Sequence, residues 1–236
     1  MSDVVAAIVL AAGRSSRMGG EDKLGADLGG EPVIGWALRG IAGLEELAVL
    51  VIVGPEERHE ALRALVPGHL VVNRGLEVRC VQGGERRQDS VAAGIAAAPT
   101  ADWYLVHDGA RPLVTPELTA RVLAAAREHG AAVPGVPVVD TLKRVDDGGR
   151  VLETVERASM RAVQTPQGFA GDLLREAHAS VGGDVTDDAS MVEALGRPVV
   201  VVEGDVANVK VTRPADLLIA RVLLEARADS QAGEAR

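Results

Sequence analysis

Three glycine-bearing loops and a few cations carry the chemistry legible in this sequence. The first loop, Ala11-Ala12-Gly13-Arg14-Ser15-Ser16-Arg17-Met18-Gly19-Gly20-Glu21-Asp22-Lys23, follows an apolar run. Small residues at Ala11, Ala12 and Gly13 let backbone N–H groups approach an anion, while Arg17 and Lys23 bring two positive charges to the same phosphates. Such a loop suits a triphosphate. It is neither a Walker A loop nor a dinucleotide Gly-x-Gly-x-x-Gly, and Arg17 stands where a nucleophile elbow requires Gly. The plain alternative is a surface loop with two solvated cations. A second loop, Gly83-Gly84-Glu85 leading to Ser90, offers backbone amides and a hydroxyl to the edge of a base, although Gly-Gly before a helix is also ordinary turn chemistry. The third, Val106-His107-Asp108-Gly109-Ala110-Arg111-Pro112, puts a carboxylate at a strand end, where it can ligate Mg²⁺ or hold a hydroxyl. Arg111 is then within reach of a phosphate, and the competing reading is an Asp that only caps its loop.

Further blocks are Gln164 to Phe169, Thr186 to Ser190 and Asn208 to Thr212, with Thr186 also suited to cap a short helix. Other chemistries fall away. His59-Glu60 lacks the second His of a zinc protease helix because Arg63 occupies that position. His107 reads as a buried, loop-ordering imidazole. Cys80 reads as a small hydrophobe; a single thiol makes no internal disulfide and fits a cytoplasmic setting.

Composition bounds the partners. With 25 Lys and Arg against 34 Asp and Glu, the net charge of -9 repels a polyanion over most of the surface, and 2% aromatic residues provide no stacking platform. Nucleic acid is not the expected partner. A small phosphorylated substrate is compatible if basic residues gather locally. The longest apolar run, Val4 to Ala12, is far short of the roughly 20 residues of a membrane span, and no basic segment precedes it as in a signal peptide. No membrane association is expected.

Positioning these loops requires strands that end beside one another. Val4–Leu10, Leu47–Val53, Glu77–Val81, Trp103–His107, Ala131–Val139 and Val199–Glu203 are short branched runs, several without polar alternation, as in strands buried on both faces. Between them Val33–Ala42, Pro55–Val66, Val91–Ala98, Pro116–His129 and Pro214–Ala228 have helical period, with Pro starts and a Gly130 stop. The order predicts an α/β fold, a mainly parallel sheet covered on both faces, whose ligands sit beyond the carboxyl ends of the strands. The expected organisation is one domain over 1–228 and a frayed tail over 229–236.

One segment breaks the pattern. Asp140–Val145 and Arg150–Arg157 flank Asp146-Asp147-Gly148-Gly149, a hairpin signal. An isolated hairpin is marginal in water, so its apolar residues need a surface: a second copy of the chain, or the hairpin's own domain.

Taken together, the first loop with Arg17 and Lys23, Gly83-Gly84 with Ser90, Val106 to Pro112, Asp140-Thr141-x-Lys143, Gln164-Thr165-Pro166-Gln167, Thr186 to Ser190 and Asn208-x-Lys210-x-Thr212 resemble the 2-C-methyl-D-erythritol 4-phosphate cytidylyltransferase family. The likeness runs from about Val4 to Leu224. It implies a Rossmann-like three-layer αβα sandwich of the nucleotide-diphospho-sugar transferase type, with a mixed, mainly parallel sheet and a protruding β-hairpin arm at about 140–157. The implied activity joins CTP to methylerythritol phosphate with Mg²⁺ or another divalent cation. The resemblance gives Arg17 and Lys23 the catalytic role. It gives Ala11, Ala12, Gly13, Gly83, Gly84, Glu85, Ser90 and Gly109 to the nucleotide. It gives Asp108, Arg111, Thr141, Arg157, Thr186 and Lys210 to methylerythritol phosphate, with Asp108 also the candidate metal ligand. It further implies a homodimer in which Thr141 and Arg157 act on the partner's site. Asp22 stands where many members have Pro, Leu24 where Gln is usual, and Gly109 where Ala is commoner. The stretch Arg17-Met18-Gly19-x-x-Asp22-Lys23 also resembles the nucleotidylyltransferases of molybdenum cofactor metabolism. That relative, or a nucleotide sensor without turnover, are the alternatives.

Overall fold

Alternation along two neighbouring strands sets up both faces of the sheet. In a computed structural model that describes residues 3–12, 22–182 and 185–234, with side chains to 229, Val5, Ala7 and Val9 point into one apolar cluster and Ala6 and Ile8 into another. Leu50 and Ile52 repeat the first face, Val49, Val51 and Val53 the second. With both faces covered, no polar side chain is tolerated, which is why these segments read as continuous apolar runs.

In chain order the elements begin with β1 (Val5–Leu10), β2 (Asp27–Leu28), β3 (Glu31–Pro32), α1 (Val33–Ala42), β4 (Leu47–Gly54), α2 (His59–Ala64), α3 (Gly68–Arg74) and β5 (Glu77–Gln82). Then follow α4 (Arg87–Ala97), β6 (Trp103–Asp108), α5 (Pro116–His129), β7 (Ala131–Pro137), β8 (Leu142–Val145), β9 (Val151–Val155) and β10 (Arg161–Val163). The chain closes with β11 (Gln167–Ala170), α6 (Gly171–Ser180), α7 (Asp188–Ala194), β12 (Val200–Glu203) and α8 (Pro214–Glu234). An eight-stranded sheet runs β10-β7-β11-β6-β1-β4-β5, with β12 also paired to β7. Strands β6, β1, β4 and β5 are parallel, and β11 lies antiparallel between β7 and β6. Helices α1, α2, α3 and α5 cover one face, and α4, α6 and α7 the other. A smaller apolar cluster, including Leu28, Leu113 and Val211, seats α8. The three-layer α/β arrangement expected from the sequence is present.

Local chemistry explains several boundaries. Thr115 Oγ1 accepts from the Leu118 N–H at 3.1 Å to start α5, Pro116 follows, and Gly130 at φ 88° stops it. Helix α4 starts at Arg87, earlier than the expected Val91, because Asp89 reaches back to the Arg86 N–H at 3.1 Å and fixes the first turn. The expected helix at Pro55 opens instead with a 3₁₀ turn, Glu56–Arg58. Helix α8 runs to Glu234, past the expected helix end at Ala228, since Ala226, Arg227 and Ala228 favour helix. Strands β8 and β9 form a two-stranded sheet of their own, with Val145, Val151 and Leu152 exposed. Among the described residues no helix is long and apolar enough to cross a membrane.

Helix α4 carries Ser90 and packs on β1 through Gly94, where a Cβ would come within 2.5 Å of Ile8 Cγ2. Ile8 is fully buried and branched, so it has nowhere to rotate. Gly94→Ala is expected to destabilise the protein by about 1–3 kcal/mol despite the better helix propensity of Ala, read as a lowered midpoint in urea unfolding.

Candidate active site

The carboxyl ends of β1, β4, β5 and β6 open onto one cleft of about 1120 Å³. Ala12 and Lys23 come to it from the first loop, Gly83, Gly84, Glu85 and Ser90 from the second, Asp108 and Gly109 from the third, and Lys210 from beyond β12. The glycines are sterically required. A Cβ on Gly83 would lie 2.3 Å from Ala12 Cβ, so the first two loops touch with no space for a side chain. A Cβ on Gly109 would lie 2.7 Å from the Leu10 carbonyl oxygen and 2.4 Å from Ile34 Cδ1, which accounts for glycine here. Ser90 Oγ accepts from the Gly84 N–H at 3.1 Å and holds the second loop against α4.

A chain of opposite charges organises the floor. Lys210 Nζ donates to Asp108 Oδ2 at 2.6 Å, and Arg87 Nε lies 3.7 Å from Asp108 Oδ1. Arg87 Nη1 in turn donates to Asp188 Oδ2 at 2.6 Å, and His178 Nε2 meets Asp188 Oδ1 at 3.0 Å. Burial pushes the Asp108 carboxyl up, but Lys210 and then Arg87 overcome this and hold it down at about 2. Burial likewise opposes the Arg87 charge, and Asp188 and Asp108 more than restore it.

Behind Asp108 lies a second network. Thr165 Oγ1 accepts from the Asp108 N–H and meets His107 Nδ1, both at 3.1 Å, and His107 Nε2 lies 3.2 Å from the Arg111 carbonyl oxygen. A carbonyl only accepts, so Nε2 carries the proton and the Thr165 hydroxyl donates to Nδ1. Burial pulls His107 from its ordinary 6.5 down to about 4, in keeping with this neutral tautomer. Arg111 Nη1 donates to the Asn208 carbonyl at 2.8 Å, and Asn208 Nδ2 donates to the Thr165 carbonyl at 2.8 Å. Burial lowers the Arg111 pKa, partly offset by Asp108, and among the described residues Arg111 Nε and Asn208 Oδ1 are buried without a hydrogen-bond partner.

Not every expected residue joins the cleft. Gly13 and Arg17 lie outside the described residues. Ala11 is buried, its N–H donating to the Val53 carbonyl at 2.7 Å. Thr141 and Arg157 are exposed on the hairpin, with Arg157 Nη1 donating to the Val139 carbonyl. Thr186 is exposed and is not the helix cap: Asp187 caps α7, accepting from the Ser190 N–H at 3.0 Å, because Asp188 begins the helix one residue later than a Thr186 cap requires. The residue that sequence reasoning missed is Arg87. Its signal was its place one helical turn before Ser90, on the face that meets the cleft. Among the described residues no three His, Cys, Asp or Glu side chains converge to hold a metal, so a cation here would depend on ligands from the substrate, with Asp108 one of the carboxylates that line the cleft.

The family model for 2-C-methyl-D-erythritol 4-phosphate cytidylyltransferase matches residues 5–226. The chain belongs to this family. Curated cytidylyltransferases of that name from Nocardia farcinica and Rhodococcus opacus are 46% and 44% identical to it, covering 95% and 94% of this chain and 95% of each relative. The crystal structure of the Thermus thermophilus cytidylyltransferase superposes with TM-score 0.74 at 37% identity, covering 92% of this chain and 98% of that one. That of the 4-diphosphocytidyl-2C-methyl-D-erythritol synthase from Anaerococcus prevotii reaches 0.80 at 27% identity, over 94% and 99%.

In this family member His107 makes acid stability measurable. Its folded pKa, about 4, lies below the ordinary 6.5, so the unfolded chain binds the extra proton between these values. Stability from this source is complete above pH 6.5 and is lost as pH falls towards 4. Unfolding free energy is expected to be about 2 kcal/mol lower at pH 5 than at pH 7, with His107→Gln flattening the dependence in urea titrations.

Proposed function

We propose that this chain transfers a cytidylyl group from CTP to 2-C-methyl-D-erythritol 4-phosphate, releasing pyrophosphate and giving 4-diphosphocytidyl-2-C-methyl-D-erythritol for non-mevalonate isoprenoid synthesis. The carrying observation is that Lys23 and Lys210, from opposite ends of a chain of net charge -9, line one cleft with the Gly83–Gly84 loop. Ala12, Gly83, Gly84, Glu85, Ser90 and Gly109 are assigned to the nucleotide, with Ala11 and Gly13 completing the first loop. Asp108, Arg111, Thr186 and Lys210 are assigned to methylerythritol phosphate. The unit is read as one nucleotidyltransferase domain working in the cytoplasm, without nucleic acid or membrane.

The attacking group is a phosphate monoester with a second pKa of about 6, already charged at neutral pH, so no general base is needed. One of its oxygens bonds to the α-phosphorus of CTP as the bond to the β-phosphate breaks, and the electron pair leaves with pyrophosphate. The obstacle is repulsion between anions. A unit-charge pair at 4 Å is worth about 4 kcal/mol at an effective dielectric near 20, so cation placement dominates the barrier. Arg17 and Lys23 neutralise the triphosphate and the leaving group. Lys210, oriented by Asp108, holds the incoming phosphate in line. A divalent cation, read as Mg²⁺, would be held by the triphosphate with Asp108 at most as its protein ligand, and when bound supplies further neutralisation of phosphate charge.

The hairpin completes the reading. Its Val145, Val151 and Leu152 are exposed among the described residues, which favours a homodimer in which Thr141 and Arg157 act on the partner's cleft.

Pyrophosphate release should be fastest with CTP and methylerythritol phosphate, against ATP, GTP and UTP controls. Lys23→Ala should lower turnover about 10³-fold without changing the unfolding midpoint, as loss of a charge-stabilising group does. Arg157→Ala should chiefly raise KM for methylerythritol phosphate. Mixed dimers of Arg157→Ala and Lys23→Ala subunits should recover activity; inactive mixed dimers would refute the shared arrangement.

A further inference from the structure

Asp22, one of the departures from the family pattern, is tied to a second element of the cleft wall. Its Oδ2 accepts from Arg58 Nη1 at 2.5 Å, and its Oδ1 accepts from the Leu24 N–H at 3.1 Å. Its carbonyl accepts from the Gly25 N–H at 3.1 Å, closing the turn around Lys23. Gly25 leaves the space the carboxylate occupies, since a Cβ there would come within 2.8 Å of Asp22 Oδ2. On the other flank Leu24 is buried, and its carbonyl accepts from the Ile34 N–H at 3.0 Å. Lys23 thus stands between one neighbour fixed to the 3₁₀ turn after β4 and another fixed to the first turn of α1. Pro55 and Glu57 of that 3₁₀ region line the cleft together with Lys23.

We propose that the Asp22–Arg58 ion pair is a positioning device for Lys23, holding the end of the first loop so that the ammonium group meets the triphosphate. The proposal rests on the reading of Lys23 as a triphosphate cation. Two physical effects act together. Fixing the backbone on both sides of Lys23 removes conformations in which its stem leaves the cleft. Arg58 also neutralises a carboxylate adjacent to Lys23 that would otherwise repel the incoming nucleotide. The two side chains are 33% and 46% exposed, so the pair adds little to global stability and is weakened by salt. Loop placement and folding are therefore separable by experiment. The two residues are also unequal. Removing Asp22 loosens the loop, whereas removing Arg58 loosens it and leaves a bare carboxylate beside Lys23.

The test compares Arg58→Gln, Asp22→Asn, the double variant and Arg58→Lys in the full-length protein. Arg58→Gln is expected to lower kcat/KM for CTP about fivefold at low ionic strength, the upper range for an exposed pair, and Asp22→Asn about twofold. The double variant should be no worse than Arg58→Gln, and Arg58→Lys should stay near the parent. KM for methylerythritol phosphate and the thermal midpoint should hold, and roughly 0.5 M salt should shrink the ratio of parent to variant. Calorimetric CTP affinity supplies the decisive arm: in a Lys23→Ala background, Arg58→Gln should cost clearly less than in the parent, leaving only the repulsion of the bare Asp22 carboxylate. Unchanged kcat/KM in Arg58→Gln overturns the proposal, as does an undiminished loss of CTP affinity once the Lys23 side chain is gone. If Lys23→Ala alone leaves CTP affinity and turnover intact, the reading of Lys23 falls and the positioning role falls with it.

Discussion

A carboxylate withdrawn from water demands cations, and the Asp108 side chain, 13% exposed, has drawn Lys210 and Arg87 to itself from distant parts of the chain. Everything at the floor of the cleft is arranged around that demand. Lys210 is oriented because Asp108 is fixed, and Asp108 is fixed because its own N–H is held by Thr165. Arg87 is shared with fully buried Asp188, whose other oxygen meets His178. The protein thus creates a locally cationic cleft on an acidic molecule by burying acids behind the bases. The buried acids fix where the positive charges stand and leave a more exposed lysine to face the solvent.

The glycine loops answer a different constraint, that of distance between backbones. Ala12 and Gly83 meet so closely that no side chain fits between them, and Gly109 is closed in by Leu10 and Ile34. Small residues at these places are what bring main-chain donors to the cleft surface, and the sequence shows them openly because few residue types can stand there.

Legibility followed burial and local chemistry. The parallel strands and helices α1 and α5 were readable because two-sided burial and Pro or Gly punctuation leave local marks. Strand β11 was not, since Gln167-Gly168-Phe169-Ala170 has neither alternation nor a branched run and is extended because β6 and β7 flank it. Helices α3 and α6 were missed, the latter although Leu174 and Ala177 give it a buried apolar face, and α7 was anticipated only as a short helix after Thr186. At the site, Lys23 and Asp108 stood out as charges in glycine-rich or strand-end settings, whereas Lys210 was assigned through the family resemblance. Arg87 did not, because its partner Asp188 is far away in sequence and nothing local signals a long-range ion pair. Thr141 and Arg157 carry no mark of their own, and their assignment came from family resemblance alone.

The floor of the cleft also has a history in synthesis. Asp108 leaves the ribosome before Thr165, Asp188, Asn208 and Lys210, so a nascent chain can pair β1, β4, β5 and β6 while the acid still lacks its later partners. The ion pairs and hydrogen bonds of the floor are therefore complete only once the last third of the polypeptide has emerged and docked, which makes the placement of the Asp108 carboxylate a property of the finished chain and not of its amino-terminal half.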